Sequence, residues 1–149
     1  MSKPRLRAAT SADLPFVERC ARAAYAPYVP RIGREPAPMV ADFASHLADG
    51  ELHVIVTENT IGYSVHRIEG GALFIENIAI MPDSQGGGIG RAVFDLLEAE
   101  AREAGASQLR LYTNVKMTEA LTFYERLGFS ITDRRTEEGF HRIYLAKGL

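Results

Sequence analysis

Apolar positions along the chain alternate between two periods. Leu14, Val17, Cys20, Ala21 and Ala24 recur at helical spacing behind Thr10, Ser11 and Asp13, residue types suited to N-capping, and predict a first helix over 12–25. The short run 5–9 ahead of it reads as a strand. Pro27, Pro30, Gly33, Pro36 and Pro38 then interrupt the pattern and predict a loop of about a dozen residues. Val40, Phe43, Ala44 and Leu47 give a second, short helix that stops at Asp49-Gly50. Strand-like runs follow at 52–57, 61–68 and 72–81, joined by turns short enough for antiparallel hairpins. Ile89, Ala92, Val93, Leu96, Leu97, Ala101 and Ala104 return to the helical period, and Gly105 supplies a stop. A strand at 109–113, a helix at 118–127 closed by Gly128, and strands at 129–134 and 142–146 complete the chain.

This order of elements predicts an α+β fold with a mixed sheet of about seven strands. The segment 72–113 is a β-α-β crossover, so its two strands should be parallel. The 149 residues contain no long linker, repeat or low-complexity tract and predict a single domain over 1–149. A composition of 46% hydrophobic and 24% charged residues excludes a disordered or fibrous chain. Lys and Arg number 17 against 19 Asp and Glu, with no basic block, which argues against nucleic acid as a partner. The longest apolar run, 72–81, is short and carries Glu76 and Asn77, so no membrane span is expected. The opening MSKPRLR is basic but has no apolar run behind it, which predicts no signal peptide and a cytoplasmic protein. Cys20 is the one cysteine; it excludes an intrachain disulfide and reads as an inert helix residue. His46, His53, His66 and His141 show neither HxH nor HExxH spacing, so no metal is expected.

The strongest chemical signal is Gln85-Gly86-Gly87-Gly88-Ile89-Gly90, set between a strand and a helix. Glycine removes Cβ, so main-chain N–H groups can converge on an anion, and the helix N-terminus adds unsatisfied donors. Such a loop reads as a phosphate cradle or as a flexible turn that caps the helix. Arg91 favours the cradle. A cation in the first turn opposes the helix dipole, no acid appears before Asp95, and an external anion removes the conflict. The Walker A ending is missing, the nearest following lysine being Lys116, and a GxGxxG spacing fails at Arg91 and at Val93.

Gln85, Gly88 and Gly90 fill the pattern [Q/R]-x-x-G-x-[G/A]. The string from Glu76 to Pro82 precedes it, and residues 120–129 fit A-x-x-F-Y-x-x-x-G-F. With these motifs in this order the chain resembles the GCN5-related N-acetyltransferase (GNAT) superfamily over nearly its whole length. The resemblance implies the GNAT fold, with helices on both faces of the sheet, and acetyl-CoA as donor. It implies cofactor contacts from the main chain of Ile78, Ala79 and Ile80, from Gln85, Gly86, Gly87, Gly88, Ile89, Gly90 and Arg91, and from Tyr124. Many members carry an asparagine seven residues before that tyrosine; here the position is Met117, and Asn114 is the nearby candidate to take its place.

Acetyl transfer to an amine needs a neutral nucleophile. An amine of reference pKa about 10.4 lies roughly 3.4 units from neutrality at pH 7, a cost of about 4.6 kcal/mol that a base removes. Glu76, a carboxylate inside an apolar strand and two residues before the expected pantetheine segment, is the candidate base; the other reading is a structural ion pair. Tyr124 is the candidate acid for the leaving thiolate, against the alternative of a packed aromatic. In this family the Pro-rich segment often walls the acceptor pocket, which brings in Tyr25, Tyr28, Arg31 and Arg34; the two arginines suit a carboxylate or phosphate, or are solvated charges. The expected activity is acetyl transfer to a primary amine of a small molecule by direct attack. Acetylation of a peptide or protein, and acyl-CoA sensing without turnover, are the other readings. By analogy with dimeric members, the strands at 129–134 and 142–146 would pair across a homodimer.

Overall fold

Seven strands form one mixed sheet in the computed structural model, which describes residues 3–149. They are β1 (Arg5–Ala8), β2 (Leu52–Val56), β3 (Thr60–Glu69), β4 (Ala72–Ile80), β5 (Gln108–Asn114), β6 (Ser130–Glu137) and β7 (Phe140–Gly148), in the order β1-β2-β3-β4-β5-β7-β6. Between them lie α1 (Leu14–Tyr25), α2 (Val29–Ile32), α3 (Phe43–Ala48), α4 (Ile89–Glu103) and α5 (Thr118–Arg126). The architecture is α+β, as the pattern predicts. β4 and β5 pair in parallel, as a β-α-β crossover through α4 requires. The pairs β1–β2, β2–β3, β5–β7 and β6–β7 are antiparallel.

The Pro-rich segment departs from the expectation of a loop. It is a chain of helical turns, with 3-10 turns at Ala26–Tyr28 and Ala37–Val40 on either side of α2. Proline fits the first positions of such turns because its φ is preset and no donor is needed there. Gly33, at φ 89°, ends α2 by donating to Val29 O at 2.8 Å. The last two strands run longer than predicted, because Glu138-Gly139 turns the chain tightly with φ of 51° and 82°.

The chain divides into two compact units. The first comprises the residues up to His66 together with Glu76–Leu97; the second is Arg67–Ile75 together with Glu98–Leu149. In the first, Val17, Cys20 and Ala21 of α1 are buried, as are Val54 and Ile55 of β2, Tyr63 and Val65 of β3, and Val93 and Leu97 of α4. Burial pushes the Cys20 thiol up to about 12, so it stays protonated and behaves as a small apolar side chain. In the second, Leu73, Leu109, Leu111, Ile143 and Leu145 make the core. Among the described residues no helix is long and apolar enough to cross a membrane.

Candidate functional site

β4 carries the first part of the site. Ile75, Asn77 and Ala79 are buried while Phe74, Glu76, Ile78 and Ile80 are half-buried, the alternation a strand imposes. The parallel ladder with β5 pairs Ala72–Ile75 with 108–111. Past β4, the Met81 N–H donates to Ile61 O at 2.8 Å. Strand geometry therefore turns the main-chain groups of the odd positions toward β3, and those of Glu76, Ile78 and Ile80 toward the opposite edge.

Buried Asn77 anchors this run. Its Oδ1 accepts from the Tyr63 hydroxyl at 2.8 Å, and its Nδ2 donates to Pro38 O at 3.0 Å. The Tyr25 hydroxyl donates to Ile78 O at 2.9 Å, with Asn77 Oδ1 at 3.3 Å. An unsatisfied buried amide would cost about 1–3 kcal/mol; here each partner ties another element to β4. Tyr25, expected among the acceptor residues, thus sits inside this cluster and fixes the strand. Gly62 permits the close approach of β3, because a Cβ there would lie 2.3 Å from Ala79 O.

After a 3-10 turn at Pro82–Ser84 the chain enters the glycine loop, where Gly86, Gly87 and Gly88 take φ of 93°, 64° and 82°. These values favour glycine. Apart from the adjoining residues, no heavy atom lies within 4 Å of where a Cβ would stand on Gly86 or Gly88. Gln85 is exposed, and its Nε2 donates to Ile80 O at 2.9 Å, tying the loop to the end of β4. Ile89 and Gly90 open α4, whose first turn holds no acid, and Arg91 is exposed on it. Open space, glycine backbone, a helix N-terminus and a cation in one loop fit a diphosphate.

Glu76 has a partner that the sequence reading missed. α3 ends in a Schellman motif: the Glu51 N–H donates to His46 O at 3.0 Å, the Gly50 N–H donates to Leu47 O at 3.1 Å, and Gly50 has φ 75°. That turn sets the side chains of His46 and Glu51 together, with Nδ1 and Oε1 3.0 Å apart. On the other side of the ring, His46 Nε2 lies 3.1 Å from Glu76 Oε2. The side chains of His46, Glu51 and Glu76 are 16%, 18% and 29% accessible. The spacing His-x-x-x-Gly-Glu was the available signal. Of the other residues expected near the acceptor, Tyr28 is half-buried with the Arg31 guanidinium 5.2 Å from its ring centre, and Arg31 and Arg34 are exposed.

In the second unit Tyr124 lies near the end of α5. The Phe129 N–H donates to Tyr124 O and the Gly128 N–H to Glu125 O, both at 3.0 Å, with Gly128 at φ 99°. This is again a Schellman motif, and it explains the spacing F-Y-x-x-x-G-F. Tyr124 and Phe129 are its apolar pair, with ring centres 5.8 Å apart. Phe123 flanks the tyrosine at 5.7 Å. Asn114 ends β5, and its Oδ1 accepts from the Lys116 N–H at 2.9 Å in a local turn.

Residues 17–129 match the profile of the Acetyltransferase (GNAT) family. The chain is 45% identical over 53 residues to a mycothiol acetyltransferase of Geodermatophilus obscurus, covering 36% of this chain and 17% of that protein. It is 30% identical over 90 residues to the ribosomal protein bS18-alanine N-acetyltransferase of Escherichia coli K12, covering 59% and 61%. It thus spans less than two thirds of either relative. A crystal structure of PaiA N-acetyltransferase from Thermoplasma acidophilum in complex with coenzyme A superposes at a TM-score of 0.78, with 15% identity and full coverage of both chains.

Proposed function

The chain belongs to the acetyltransferase (GNAT) family, and from that membership we propose that it moves the acetyl group of acetyl-CoA to the primary amine of a small molecule. Acetyl-CoA supplies the activated acyl group. The glycine loop 85–90 and Arg91 hold the diphosphate through main-chain N–H groups and a cation. The strand edge at Ile78 and Ile80 offers main-chain N–H groups to the pantetheine arm, their carbonyls already accepting from Tyr25 and Gln85, with Ala79 behind them packed toward β3. Glu76 takes a proton from the incoming ammonium, which frees the nitrogen lone pair for direct attack. Tyr124 gives a proton to the sulfur as the carbon–sulfur bond breaks, its phenol being of comparable basicity to a thiolate, and recovers one from the second proton that the acetylated nitrogen sheds. The acceptor enters beside Glu76, where the carboxylates of Glu51 and Glu76 favour a cationic amine.

The observation that carries this reading is the continuity of Glu76–Ile80, the glycine loop and the start of α4: a partly accessible carboxylate, a strand edge and a glycine loop open to an anion follow one another along the chain. An acceptor screen with acetyl-CoA, read by free-thiol release across amines, amino acids and peptides, tests it. Wild type is expected to turn over small amines, with Glu76→Gln and Tyr124→Phe slowed about a hundredfold. Equal rates for all three remove both assignments. A second reading, acetylation of a peptide's terminal amine, draws on the partial identity to the bS18-alanine enzyme; preference for alanine-terminated peptides in the same screen would establish it.

A further inference from the structure

We propose that His46 carries the proton away from Glu76, with Glu51 holding the imidazole in the tautomer able to receive it. The inference rests on Glu76 being the base of the acetyl transfer. Both ring nitrogens of His46 face carboxylate oxygens, Nδ1 toward Glu51 at 3.0 Å and Nε2 toward Glu76 at 3.1 Å. An ionised carboxylate only accepts hydrogen bonds, and a neutral imidazole carries one N–H. A neutral His46 therefore satisfies one carboxylate and turns a lone pair to the other. The Schellman turn at Gly50 places Glu51 against Nδ1. With the proton on Nδ1 and donated to Glu51, the Nε2 lone pair points at Glu76.

That arrangement lacks one proton, and the reaction supplies it. Acetylating an ammonium group leaves one proton over after the thiol is made. The amine N–H bond breaks and its proton passes to a Glu76 oxygen, then along the contact to His46 Nε2, while Nδ1–H stays with Glu51. The resulting imidazolium donates to both carboxylates at once. The ring holds the proton until the amide departs; Nε2–H then returns it through the uncovered Glu76 carboxylate to water, and the original tautomer is restored. An acceptor seated at Glu76 covers that carboxylate at the moment its proton must leave, so lodging the proton on His46 keeps Glu76 ionised until the product has gone. Glu51, from the turn after α3, and Glu76, from β4, face the imidazole. Of the other charged groups nearby, Asp42 accepts from the Ser45 N–H at 3.1 Å and Asp49 is exposed. The His53 ring approaches the Glu51 main-chain oxygen at 3.1 Å. His46 and Glu51 are thus positioning residues that act through Glu76.

Full-length protein labelled with nitrogen-15 in its histidines reports the tautomer directly. The neutral His46 ring is expected to carry its proton on Nδ1; a proton on Nε2 overturns the proposal. The kinetic arm uses acetyl-CoA and the most active amine of the screen. His46→Gln is expected to lower kcat about tenfold or more with an unchanged KM for acetyl-CoA. It is also expected to change the acidic limb of the pH profile, because the variant has no ring nitrogen to take the proton from Glu76. Glu51→Gln, which still accepts from Nδ1–H, should keep most of the rate where Glu51→Ala does not. If Glu76→Gln is slow but His46→Gln keeps the wild-type rate and limb, the relay falls and the base assignment stands. Full activity of Glu76→Gln removes both. Should His46→Gln fail to fold, the tautomer measured on wild type decides.

Discussion

At the scale of single residues, two backbone positions carry costs that side chains do not reveal. Gly62 lies where a methyl group would drive into Ala79 O. Gly62→Ala should destabilise by at least about 1–3 kcal/mol and weaken donor binding through displacement of β4, checked by denaturant unfolding and calorimetry with coenzyme A. Glu138 is the one non-glycine with positive φ among the described residues. Glu138→Gly should stabilise by about 1 kcal/mol in the same unfolding assay, because that conformation costs a residue bearing Cβ. Neither effect was visible in the string of letters. Gly62 stands in an ordinary strand-like run, and its reason lies in a strand that follows it. Asn77 likewise reads as an interruption of an apolar segment, although it is the residue that gathers Tyr25, Tyr63 and Pro38 onto β4.

At the scale of elements, helix ends do much of the organising. At the start of α1 the Asp13 carboxylate accepts from Arg7 Nη1 at 2.9 Å and Nη2 at 3.0 Å, and from the Thr10 N–H at 2.8 Å. The Arg7 guanidinium, foremost, holds the Asp13 carboxyl below its ordinary value. A depressed folded-state value means that this stabilisation is present above the unfolded carboxylate value of about 3.9 and is lost as pH falls through the folded value. Asp13→Asn should therefore cost about 1 kcal/mol at pH 7. The gap to wild type should close below about pH 4, as thermal melts across pH would record. Periodicity made the long helices and the strands legible, since one buried face repeats along each. The Pro-rich segment was not legible, because proline marks helical first turns as readily as loops. Tyr124 and Phe129 were legible as a motif, and the cap geometry supplies its physical reason. His46 escaped notice because its two partners come from a turn and from a distant strand.

For the whole molecule, ligand binding and stability are linked. If the glycine loop grips coenzyme A, the ligand at a hundred times its Kd adds about 2.7 kcal/mol to folding and raises Tm accordingly. Gly88→Asp should fold, since open space surrounds the position and aspartate tolerates this φ better than most residues, but should lose the rise in Tm by setting a negative charge against the phosphates. An undiminished shift in that variant counts against the cradle. The division into units has its own outcome. The chain passes from one unit to the other three times: inside β3 between His66 and Arg67, inside β4 between Ile75 and Glu76, and inside α4 between Leu97 and Glu98. Neither half is one uninterrupted length of polypeptide. No single cut can release either as an intact fragment, so truncation libraries should return full-length survivors and little else.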